Sequence, residues 1–158
     1  DIYYSALLPV PKRDTVKAGC AFVVIIEVLS LVVLIPCSLL AVHLQPGKDN
    51  LVGLDPNLAL LAAGFPLYAV FNAVFLPSFY ANGYKVGMAF LKAVIPTTVG
   101  MGVLEALPHF PALTWLDDLD AATQVRLLPV LIGSVLIYAG GMALTFWRAA
   151  AQYEKVDL

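Results

Sequence analysis

The chain has 158 residues, 61% hydrophobic and 13% charged, with a net charge of −2 and a mean hydropathy of +0.87. Soluble domains carry about 25% charged residues, and a soluble fold of this length has no interior large enough for so much apolar surface, so lipid must cover the rest. No strongly basic surface suggests nucleic acid, and the fold class indicated is an all-α polytopic transmembrane helix bundle.

Residues 1–17 form a lead-in. Apolar residues come first, Pro9 and Pro11 bracket Val10, and Lys12, Arg13 and Lys17 follow. Proline at a helix start and charge in its first turns predict a short amphipathic helix feeding the membrane. Two readings fit it: an anchor lying on anionic lipid, or a docking surface for a cytoplasmic partner.

Four apolar stretches follow, at about residues 18–44, 58–80, 86–107 and 127–147. Each reaches the roughly 20 residues that a helix needs to cross a hydrocarbon core of about 30 Å. Cys20 and Cys37 lie on the first span roughly 25 Å apart, too far to bond to each other. His43 and His109 stand apart from any ligand-spaced cluster, so no metal site is expected.

The connections are turn-rich. Gln45–Asn50 is a polar turn cluster, and Asp55-Pro56-Asn57 reads as a helix start with Asp55 as N-cap. Asn82-Gly83 supplies the left-handed backbone that closes a tight hairpin between the second and third spans. The segment 105–126 carries Trp115 and Asp117-Asp118-Leu119-Asp120, and reads as a short interfacial helix or as a re-entrant segment.

Charge sets the orientation. Seven of the nine Lys and Arg residues fall on the lead-in, on or beside the 81–85 turn, or after the fourth span; only Lys48 and Arg126 lie in the other two connections. The positive-inside rule therefore puts both ends of the chain and the 81–85 turn in the cytoplasm. Asp49, Asp55, Glu105, Asp117, Asp118 and Asp120 fall on the opposite side.

Charges at depth are costly and mark functional candidates. Glu27 lies about 15 Å beyond Lys17, and Lys92 about 10 Å beyond Lys85. The two are expected to pair inside the bundle, with Asn72 at a similar level. The pair reads as structural or as part of a substrate path; the alternative is Lys92 snorkelling inward with Glu27 protonated. Pro36, Pro66, Pro77, Pro96 and Pro129 punctuate the spans, and Gly100, Gly102 and Gly140-Gly141 permit close helix approach. No phosphate-binding loop, nucleophile elbow or metalloprotease motif occurs.

Leu7-Leu8-Pro9-Val10 followed by Pro11-Lys12-Arg13-Asp14-Thr15-Val16-Lys17 resembles a signature of small bacterial ABC-2 type transporter permeases. Phe75-Leu76-Pro77-Ser78-Phe79-Tyr80-Ala81-Asn82-Gly83-Tyr84-Lys85 is similar to that family's turn between two spans. Pro11 stands where the family usually has Ser, and Ala81-Asn82 where Lys-Phe is common. The resemblance implies six spans, of which these four would be the third to sixth, with two preceding Asp1. It implies a coupling helix that docks on an ABC ATPase subunit through Leu8, Pro9, Val10, Arg13 and Val16. It further implies a second permease chain, identical or paralogous, in the cytoplasmic membrane. No enzymatic activity or cofactor is expected in this chain, since ATP and Mg would sit on the partner. The implied function is export of a substrate by alternating access. The alternative is a non-transporting anchor or assembly subunit of a larger membrane complex.

Overall fold

A computed structural model describes residues 9–44, 54–83 and 85–156. It contains four long helices, α1 (Lys12–Leu44), α2 (Leu58–Ala81), α3 (Val86–Ala106) and α4 (Ala121–Glu154), with two short 3-10 turns at Leu107–His109 and Thr114–Asp117. No strand occurs among the described residues. All four helices are long and apolar enough to cross a membrane, and each coincides with a span expected from hydropathy. Of the lead-in 1–17, residues 1–8, Leu8 among them, lie outside the described residues, as does the turn at 45–50. Lys12–Lys17 are the first turns of α1 itself.

α2 and α4 form the central pair; α3 packs on α2, while α1 packs on α4 and, less extensively, on α2. The buried positions run as stripes at helical spacing. On α1 they are Val16, Cys20, Glu27 and Leu31; on α2 they include Ala62, Ala69, Asn72, Leu76 and Tyr80. Small residues bring the central pair together. A Cβ at Gly141 on α4 would lie 3.0 Å from that of Ala69 on α2. The same substitution at Gly140 or Gly102 meets nothing within 4 Å. At the crossing of α1 and α2, the Tyr80 hydroxyl occupies the space a side chain at Gly19 would need.

Large apolar side chains remain exposed on the outer faces, among them Phe22 and Ile25 on α1, Ile95 and Val99 on α3, and Ile132 and Leu136 on α4. In water such a surface would aggregate; in lipid it is solvated, and the helices satisfy their own backbone groups.

The helix ends depart from the expected caps. Asn57, not Asp55, caps α2: its Oδ1 accepts from the amides of Ala59 (2.8 Å) and Leu60 (3.1 Å). Asp55 is engaged elsewhere, its amide donating to the Asp117 carboxylate. α4 begins at Ala121, six residues before the expected span, because the Asp120 carboxylate accepts from the Thr123 amide at 2.9 Å. The segment between α3 and α4 forms two short 3-10 turns, Leu107–His109 and Thr114–Asp117. It clasps the start of α2: Asn57 Nδ2 donates to the Leu116 carbonyl (2.7 Å), and the Leu58 amide donates to Gln124 Oε1 (3.0 Å). Gly83 does adopt the left-handed backbone expected of the hairpin, with φ at 60°.

Candidate functional site

Two regions hold the polar chemistry. The first lies inside the bundle. Glu27 of α1, Asn72 of α2 and Tyr138 of α4 are all buried. Asn72 Nδ2 donates to Glu27 Oε1 and Oε2 at 2.9 Å each, and the Tyr138 hydroxyl donates to Oε2 at 2.6 Å. Asn72 Nδ2 also lies 3.3 Å from the Met142 sulfur. The carboxylate thus ties three helices at one level. Each such contact between membrane helices is worth about 1 kcal/mol.

The expected Glu27–Lys92 pair is not formed. Lys92 is exposed on α3, and the only ion pair among the described residues joins Arg13 to Glu154. The physical reason is rotational. α3 turns Ala89 and Ala93 inward, and Lys92, one residue before Ala93, is rotated about 100° away from that face. Asn72 does stand beside Glu27, and Tyr138 takes the role the lysine was expected to fill.

A cavity of about 440 Å³ opens beside this carboxylate, with α2 as its floor and α1 and α3 as its sides. Leu31, Tyr68, Phe71 and Met101 line it, with Glu27 and Glu105 as its charged members. Ser30 Oγ and the Tyr68 hydroxyl lie 2.8 Å apart, which fixes the phenol at the cavity wall. Glu105 Oε2 accepts from the Leu54 amide at 3.1 Å.

The second region is one end of the bundle, where three segments meet. Lys12 Nζ donates to the Val156 carbonyl (2.7 Å) and sits 5.7 Å from the Tyr153 ring centroid. Arg13 Nε pairs with Glu154 Oε1 at 2.7 Å, and its guanidinium lies 6.0 Å from the centroid of Trp147. Tyr80, at the end of α2, packs 5.3 Å from Tyr153. The residues expected to contact a partner divide here. Pro9 and Val10 are exposed. Arg13 is exposed but engaged by Glu154. Val16 is fully buried in the core and presents nothing to a partner, because it shares the inward stripe of α1 with Cys20.

Among the described residues no group of three His, Cys, Asp or Glu side chains is placed to hold a metal. The fold defines an all-α, multi-pass membrane protein. Comparison with family models, curated proteins and solved structures gives no match.

Proposed function

We propose that the chain is a membrane-spanning permease subunit of an ABC-2 type exporter. It works in the cytoplasmic membrane beside a second permease chain and is driven by a separate ATPase subunit that carries ATP and Mg. The observation that supports this best is convergence. The described parts of the two segments bearing the permease resemblance, residues 9–17 and 75–83, lie at the same end of the bundle, joined through Tyr80, Tyr153 and Lys12. Positive-inside charge makes that end cytoplasmic, which is where a coupling surface is required.

In this reading Pro9 and Val10 supply the exposed apolar contact, and Arg13 contributes through the face it shares with Glu154. Because Lys12 and Arg13 are held by the C-terminal end of α4, a push on the lead-in moves α1 and α4 together. α4 packs on α2 over much of its length, so the motion reaches the bundle interior, and alternating access follows from it.

A non-transporting anchor or assembly subunit is the second reading. The engagement of Arg13 by Glu154 and the burial of Val16 favour it, since both residues serve the bundle itself.

Purification of the tagged chain from its native membrane in mild detergent separates the two. The exporter reading expects an ATPase with a phosphate-binding loop to co-purify, and Val10→Glu to abolish that without lowering thermal stability. Absence of any ATPase, or its retention by the Val10 variant, removes the coupling surface described here.

A further inference from the structure

We propose that the cavity between α1 and α3 binds a lipophilic cation, that is, an amine or onium compound with an apolar body. This deepens the exporter reading by naming its cargo class, and it rests on that reading for the transport step alone.

Size comes first. At about 440 Å³ the cavity falls in the range of sites for small organic ligands, about 300–1,000 Å³. Its wall is almost wholly apolar, from Leu31, Met101 and the two rings of Tyr68 and Phe71. Lipid tails would satisfy such a wall as well as any ligand. Charge is what discriminates.

Both charged side chains on the lining, Glu27 and Glu105, are acidic, and no Lys, Arg or His joins them. Glu27 is held by two neutral donors, Asn72 and Tyr138, and pairs with no cation among the described residues. A carboxylate offers about four acceptor positions, so these donors leave capacity for a further one from the cavity. Tyr68 and Phe71 also line this space, and an aromatic ring attracts a cation placed over its face within about 6 Å of the centroid. An anion of the same shape finds the same apolar wall but meets two carboxylates. α1 and α3 line opposite sides of the cavity and α2 its floor, so a ligand dissolved in the bilayer reaches it between them.

The test uses the full chain in nanodiscs of zwitterionic lipid. Two probes of nearly the same shape and opposite charge are titrated: tetraphenylphosphonium and tetraphenylborate. The proposal expects saturable phosphonium binding above that of empty nanodiscs, and weaker or no saturable borate binding. Glu27→Gln is expected to weaken phosphonium binding about tenfold or more, and Glu105→Gln by a smaller factor. Ala63→Trp fills the cavity with both carboxylates intact and is expected to abolish binding. Lys92→Gln is expected to leave it unchanged. Borate binding as tight as phosphonium, or phosphonium binding unaffected by Ala63→Trp, overturns the proposal and makes the cavity a seat for lipid or for another helix. If Glu27→Gln fails to fold, the Ala63 and Glu105 variants carry the same decision. The ATPase co-purification is read separately. Phosphonium binding without an ATPase leaves the site standing and removes the exporter; an ATPase without phosphonium binding does the reverse.

Discussion

Asn72 gives its side-chain amide to both carboxylate oxygens of Glu27, at 2.9 Å each, across the contact between α2 and α1. This link, with Tyr138 completing it from α4, is the buried directional bond between α1 and the central pair of helices, while the Ser30–Tyr68 and Arg13–Glu154 contacts lie exposed. A double-mutant cycle measures it. Glu27→Gln and Asn72→Leu, unfolded in detergent, are expected to couple by about 1 kcal/mol. The cycle of Glu27→Gln with Lys92→Gln is expected to show no coupling. Equal coupling in both cycles contradicts the arrangement.

The central pair depends on a close approach at Gly141. With only 3.0 Å between Ala69 Cβ and a Cβ built at Gly141, Gly141→Leu has no space and is expected to cost about 1–3 kcal/mol by overpacking. Gly140→Leu points into open space and is expected to be nearly neutral. Thermal melting of both variants in the same detergent reads the difference.

Arg13 and Val16 lie three residues apart and answer differently. The Arg13–Glu154 pair is exposed on both sides, 59% and 47%, and exposed pairs contribute less than about 1 kcal/mol. Arg13→Gln is therefore expected to change the melting temperature little, and less still at high salt. Val16→Asp puts a charge into the core and is expected to cost about 3 kcal/mol or more. A large effect of Arg13→Gln on ATPase retention without an effect on melting would mark a contact residue.

The first turn of α4 is pH-dependent through Asp120. Its side-chain hydrogen bond with Thr123, and then the Thr123 amide, hold its pKa below the usual 3.8. A depressed carboxylate pKa stabilises the folded form above the ordinary value and loses that contribution as pH falls through the lowered one. The protection of the Thr123 amide, taken relative to its intrinsic exchange rate at each pH, is thus expected to be full at neutral pH and to fall below about pH 4. Asp120→Asn, which caps without charge, is expected to show no such step.

Much of the fold is legible from hydropathy alone, because twenty apolar residues in lipid have little alternative to a helix. Rotation about each helix axis is a different matter. Counting residues from Lys17 and Lys85 brings Glu27, Asn72 and Lys92 to comparable depths, yet it carries no information on which way each faces. Only the stripes do, and on α1 the spacing Val16, Cys20, Glu27, Leu31 already contains the answer. Val16 in a motif reads as surface, while on that stripe it belongs to the core. Tyr138 was within reach of the same depth count, since it lies ten residues from Arg148 as Glu27 lies ten from Lys17. It escapes notice because a tyrosine in an apolar run passes for one more hydrophobe. The caps at Asn57 and Asp120 depend on which of several neighbouring Asx residues reaches the free amides, and that is decided by the clasp with residues 116–124.

The central claim is that four helices cross the membrane, leaving the α2–α3 hairpin and the α3–α4 connection on opposite sides. Single cysteines at Asn82 and Asp118, in a chain with Cys20 and Cys37 replaced by Ser, test it with an impermeant thiol reagent on intact cells. The account predicts that position 118 is labelled at once and position 82 only after lysis. Labelling of both from outside contradicts the four-span fold, and labelling of 82 alone contradicts the orientation on which the coupling surface depends.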